Sequence, residues 1–141
     1  MDRPEHINIV EVGPRDGLQN GAQPLSPPER IELINRLAEA GLTQIEAGAF
    51  VSPRWVPQMA GSDEVLLALS SRSDLRLPVL VPNRKGYQTA RAAGAREIAV
   101  FGAASETFSK RNINCSIDES IERFSEICIL ALDEGIRIRG Y

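Results

Sequence analysis

RAAGAREIAV, residues 91–100, joins the end of a helix-like stretch to the start of an apolar, strand-like run, with Gly94 between them. The same junction recurs as AEAGLTQIEA at 38–47 and ALDEGIRIRG at 131–140. In each, a glycine suited to end a helix is followed within a few residues by a strand. The repeated unit is roughly 30 to 40 residues long. Strands alternating with helices predict an α/β fold, a parallel sheet with right-handed crossovers.

Working outward, five strands are predicted, at 7–12, 43–50, 76–82, 97–104 and 136–141. INIVEV, 7–12, is β-branched and closed by Gly13-Pro14, so it reads as buried. Four helices lie between them. The first opens at Ser26-Pro27-Pro28-Glu29, a capping pattern, and carries Ile31, Leu33, Ile34, Leu37 and Ala38 on one stripe to Gly41. The second starts at Ser62-Asp63-Glu64 and runs to about Ser71, the third follows Asn83 to Gly94, and the fourth spans 117–134 with Asp118 as cap. Trp55–Ala60 reads as an irregular loop, and Cys115 falls in a loop-like segment.

An open doubly wound sheet and a (β/α) barrel both fit this order. The barrel is favoured because Arg15, Asp16, Glu46, Asn83, Arg84, Ser105 and Glu106 gather near the C-terminal ends of strands, where barrels build their sites. No GxGxxG or GxxxxGK[ST] follows the first strand. A whole barrel needs about 250 residues, and this chain has 141. The expectation is one partial barrel domain over 1–141, truncated before the C-terminal strands. Its two open edges and exposed apolar face suggest a homo-oligomer, a dimer, to cover them.

Composition narrows the function classes. With 43% hydrophobic and 25% charged residues the chain has a soluble globular make-up. A net charge of −3 and 5% aromatics disfavour nucleic-acid binding. No signal peptide, transit peptide or long apolar run is seen, so no membrane association and a cytoplasmic location are expected. Cys115 and Cys128 have neither zinc nor disulfide-framework spacing, and Cys128, in EICILAL, reads as a buried inert thiol.

Glu46 sits in TQIEAGAF among apolar and small neighbours, where burial without a partner would be costly. Arg15, at the end of the adjacent strand, is placed to pair with it, either as a structural ion pair or as part of a site. Asp16 fits a hard-metal ligand, or an Asx turn or helix cap. Lys110-Arg111 meets an anionic ligand or faces water. His6, the only histidine, precedes the first strand and reads as solvated. It supports no Ser/His/Asp or Cys/His arrangement.

EVGPRDGLQN (11–20) closely resembles the first-strand motif of hydroxymethylglutaryl-CoA lyases. IEAGAFVSPRWVPQMAGSDEV (45–65), PVLVPN (78–83), VFGAASETFSKRNINCSIDES (100–120) and RGY (139–141) resemble the same family in the same order. An RDG by itself is shared with isopropylmalate and homocitrate synthases of the same metal-dependent superfamily, the alternative enzyme class, but LQN and FVSPRWVPQM fit the lyase better. The resemblance implies a TIM barrel, a divalent cation (Mg²⁺ or Mn²⁺) and retro-Claisen cleavage of an acyl-CoA substrate, 3-hydroxy-3-methylglutaryl-CoA, to acetyl-CoA and acetoacetate. It implies Asp16 as metal ligand with a part in proton transfer, Arg15 as the group meeting oxyanion charge, and Glu46 as the holder of Arg15. Gln19, Asn112, Ser116, Arg139 and Tyr141 match positions near the site, and Lys110 and Arg111 would assist the anionic CoA end. The family's His-x-His pair, metal-binding Asn and glycine-loop Cys have no match in these residues, and Cys115, Cys128 and His6 do not replace them. The 141 residues alone are therefore expected to be inactive, and a non-catalytic half-barrel acting through a partner is the reading of a different class.

Overall fold

The computed structural model describes residues 3–141. A π-helical turn at Gly13–Gly17 is followed by helix α1 (Pro27–Glu39), strand β1 (Gly48–Ala49), a 3-10 turn at Pro57–Met59, α2 (Ser62–Ala68), β2 (Val79–Leu80), α3 (Arg84–Ala92), β3 (Glu97–Val100), α4 (Glu106–Ile113), α5 (Ile117–Asp133) and β4 (Arg137–Gly140). All strand pairs are parallel, and their order in space is their order in the chain. A doubly wound sheet reverses that order at a switch point. None occurs here, so right-handed crossovers put the helices on one face, as in a barrel wall.

Local chemistry sets the helix ends. Ser26 and Glu29 form a reciprocal capping box with proline at the first turn of α1, and Asn83 accepts the Gly86 amide at 2.9 Å. Gly94 has φ +87° just past α3, and Gly41 and Gly135 repeat this left-handed stop. The cap of α5 is Ser116, boxed with Glu119, rather than Asp118. Asp118 lies inside the first turn, where its charge meets the helix dipole.

Helix α4 departs from the four-helix expectation. Of its residues only Ser109 is buried, while Phe108 is exposed, so no apolar stripe announces it. Ser105 caps its start and Asn114, at φ +53°, ends it.

The first strand is a second correction. Of 7–12 only Glu11 pairs, taking the Glu46 amide at 2.8 Å and giving its own to Gln44 at 2.9 Å. Ile7 and Ile9 are 76% and 66% exposed rather than buried. β-Branched composition favours a strand only where a layer packs on it, and among the described residues none does.

The outer face of the sheet carries Val79, Val81 and Ile98 against Ile34, Val65, Tyr87, Phe124 and Ile127 of the helices. On the inner face Ala49, Leu80 and Ala99 are buried under Met59, Leu18, Val51 and Val56. The inner face at these strands is therefore covered. Among the described residues, the exposed large apolar side chains are Ile7, Ile9 and Trp55, Leu67 on α2, Phe108 on α4, Ile121, Ile129 and Leu132 on α5, and Tyr141 just past β4.

Candidate active site

The turn after Glu11 gathers three successive amides onto one acceptor and is wound wider than an α-turn. Val12 O receives the amides of Arg15, Asp16 and Gly17 at 3.1, 2.7 and 3.4 Å. Glu11 Oε1 accepts the Gly13 amide at 2.6 Å, and a Cβ on Gly13 would lie 2.8 Å from that oxygen. π-Type turns are uncommon and concentrate at functional sites. This one projects Arg15 toward the sheet and leaves Asp16 at the surface. Glu11 is a site-shaping residue that the sequence reading passed over, although a carboxylate in an apolar run was its signal.

Glu46 reaches the same place through a β-bulge. Gln44 stands opposite Arg76 and Gly48 opposite Val79, so four steps on one strand meet three on its neighbour. Pro78 has no N–H to complete the ladder there, although its carbonyl accepts Ala47 N at 2.9 Å. Gly48 faces the helices, since a Cβ on it would lie 2.5 Å from Ser62 Oγ and 2.8 Å from Arg30 Nη2. By strict alternation Glu46 would face the helices too. The extra residue turns it inward, the re-aiming that bulges perform beside active sites.

The bulge is held from behind by Arg30, a fully buried arginine on α1. Its guanidinium donates to Ala60 O at 2.8 Å, Ser62 Oγ at 2.9 Å and Ala47 O at 3.4 Å. Ser62 Oγ in turn donates to Met59 O at 2.7 Å and accepts Ala49 N at 3.2 Å. No carboxylate is among these partners, and burial pulls the Arg30 proton affinity below the ordinary arginine value.

Inside the sheet, Glu46 is fully buried and both its oxygens are used. Oε1 accepts Arg15 Nε at 2.5 Å, and Oε2 accepts the Tyr141 hydroxyl. Arg15 also gives Nη1 to Asp16 Oδ1 at 3.1 Å, which leaves Nη2 uncommitted. The Tyr141 ring lies under two guanidiniums, Arg139 at 4.9 Å and Arg15 at 5.9 Å, at cation–π range. Burial, and then the bond to Glu46, raise the Tyr141 hydroxyl above the usual phenol pKa. The result is a cationic edge fixed by a buried carboxylate, a means of meeting negative charge on a substrate oxygen.

The other expected site residues are placed less closely. Gln19 Oε1 and Arg139 Nε are buried without a partner. Asn112 is exposed on α4, with Lys110 and Arg111 in the same helix's last turn. The Ser116 hydroxyl is occupied as the α5 cap. None of these four makes a hydrogen bond to Arg15 or Glu46 among the described residues. Cys115 is buried and Cys128 only half-buried, the reverse of the emphasis in the sequence, because Cys115 tucks between α4 and α5. A cavity of about 320 Å³ lies nearby, lined by Ser52, Asp63, Asn83 and Lys85 but not by Arg15, Asp16 or Glu46.

As a cation site the described residues are insufficient. Asp16 Oδ2 is open, but no group of three His, Cys, Asp or Glu side chains converges among them, and hard cations take six or more oxygen ligands.

The sequence matches the HMGL-like family over residues 6–140. It is 62% identical to the hydroxymethylglutaryl-CoA lyase of Pseudomonas mevalonii over 135 residues, covering 96% of this chain and 45% of that protein. The crystal structure of hydroxymethylglutaryl-CoA lyase from Pseudomonas aeruginosa matches with a TM-score of 0.92 and 51% identity, covering 98% of this chain and 46% of that one. An HMG-CoA lyase from Acenitobacter baumannii, in complex with coenzyme A and 3-methylmalate, matches with a TM-score of 0.86 and 33% identity over 94% of this chain and 44% of that one. The chain spans a little under half the length of each, and its fold is the corresponding part of a TIM barrel. Apart from Tyr141, its five matched stretches, its sequential parallel sheet and its Arg15–Glu46 pair fall within residues 6–140 of that match, and the chain belongs to the HMGL-like family.

Proposed function

We propose that these residues form one side of the active site of a hydroxymethylglutaryl-CoA lyase working in the cytoplasm on 3-hydroxy-3-methylglutaryl-CoA. In that reaction the tertiary hydroxyl loses its proton, and the carbon–carbon bond beside it breaks. Acetoacetate leaves as the ketone, and the electron pair passes to the acetyl-CoA enolate, which then takes up a proton. Arg15 meets the charge first on the hydroxyl oxygen and then on the enolate. Glu46 fixes the guanidinium plane, so little reorganisation accompanies the reaction. The open oxygen of Asp16 takes up or returns a proton at this face and is the one carboxylate offered to a divalent cation, Mg²⁺ or Mn²⁺. Gln19, Asn112, Ser116, Arg139 and Tyr141 border the acyl-CoA, and a second copy of the chain or further segments of the protein complete the wall.

The observation that carries this reading is the uncommitted Nη2 of an arginine held on both sides by Glu46 and Asp16. The test is to graft this chain in place of the matching segment of the Pseudomonas mevalonii enzyme. The graft is expected to release acetoacetate from 3-hydroxy-3-methylglutaryl-CoA, and the 141 residues alone to release none. Condensation of acetyl-CoA with a 2-oxo acid by the graft, without cleavage, would point to the synthase class instead.

A further inference from the structure

At the other end of the sheet, among the N-terminal ends of the strands, lies a cavity of about 570 Å³. Leu66, Leu69 and Ile136 give it an apolar floor, and Arg76, Arg96 and Arg137 stand in its wall. Its volume falls within the roughly 300–1,000 Å³ of small-molecule sites. The charges around it do not balance. Glu97, only 4% exposed, holds Arg76 through two bonds at 3.0 and 2.8 Å and Arg137 Nε at 3.3 Å. Arg72, also in the wall, is spent on Asp74 and Asn35, and Glu134 is neutralised by Arg91 at 2.6 Å. Arg96 is exposed and pairs with none of these carboxylates. Three guanidiniums therefore face a single carboxylate, in a chain whose net charge is −3.

We propose that this cavity binds a small organic phosphate dianion. Arg76 keeps Nη1 and Arg137 keeps both Nη groups free, and Arg96 has its whole fork to offer. Planar guanidinium forks match phosphate oxygens in geometry as well as charge. A dianion cancels the local excess, and the leucine and isoleucine floor receives the organic part. Glu97 holds two of the three arginines in place beforehand, which cuts the ordering cost of binding. The cavity opens away from the C-terminal strand ends, so its occupant does not compete with a substrate at Arg15.

Phenyl phosphate is the probe, followed by amide chemical shifts of the isotope-labelled chain, with phenol and with sodium chloride at matched ionic strength as controls. Saturable shifts are expected at Gly94, Arg96, Gly135 and Arg137 with phenyl phosphate alone. Arg96→Gln, which breaks no contact of the fold, is expected to weaken binding at least about tenfold, the scale of one lost charge-assisted hydrogen bond. Shifts that do not saturate, that chloride or phenol reproduces, or that centre on Gly13 and Gly17 would overturn the proposal. So would unchanged affinity in Arg96→Gln.

Discussion

Tyr141 donates its hydroxyl to Glu46 from the end of a strand three places away in the sheet. In a flat sheet those strands would lie about 14 Å apart at ~4.8 Å per strand. The bond therefore records a concave inner face, with one carboxylate bridging its two sides. Tyr141→Phe leaves Glu46 Oε2 buried with no donor and is expected to cost about 1–3 kcal/mol in urea unfolding. Unchanged stability would mean that the two sides of the curve are held by backbone pairing alone.

Removing the Glu46 charge should be worse than removing the pair. Glu46→Gln strands the Arg15 guanidinium against the inner face, and a loss of about 3 kcal/mol is expected, the scale of a broken buried pair. Combining it with Arg15→Met should recover part of that loss. A double-mutant cycle with no coupling would contradict the pairing.

The bulge makes its own prediction. Gly48→Ala drives a Cβ toward Ser62 Oγ and Arg30 Nη2, and such overpacking typically costs about 1–3 kcal/mol. Gly102→Ala, with no atom within 4 Å of the added carbon, is the matched control and should leave the thermal midpoint nearly unchanged. Equal effects at both positions would remove the case for a clamp behind the bulge.

Alkaline stability should report Tyr87. Burial, then the 2.5 Å bond to Glu134, push its hydroxyl up to about 12. A raised folded-state pKa contributes stability that is fully present below the unfolded value near 10 and is lost as pH climbs toward 12. Phenolate absorbance should therefore show no tyrosine titrating at the ordinary value, since Tyr141 is raised as well. Tyr87→Phe should flatten the stability curve in that window.

The repeated glycine junctions, the capping box at Ser26 and the run of parallel strands were legible because each rests on local chemistry. Gly94, Ser26 and Asn83 act within a few residues of themselves. What the sequence hid depends on distant or negative facts. The bulge at Ala47–Gly48 follows from register against Val79 and from a missing N–H on Pro78. Arg30 reads as one more charge beside a helix stripe, yet lies fully buried because Ala47 just before β1 and Ala60 and Ser62 at the start of α2 supply its acceptors. INIVEV has a strand's composition without a layer to pack on. At the site, the chain alone offered Arg15 and Glu46 as a possible pair. Tyr141 as the second donor to Glu46 needed the curvature of the sheet.

The most direct measurement of the central claim is the effect of Arg15→Gln on acetoacetate release by the grafted lyase, with circular dichroism of both proteins. The account predicts a fall in kcat of about 10²–10³, as for loss of one preorganised oxyanion donor, with the spectrum unchanged. A well-folded Arg15→Gln graft that turns over within about threefold of its parent would contradict it.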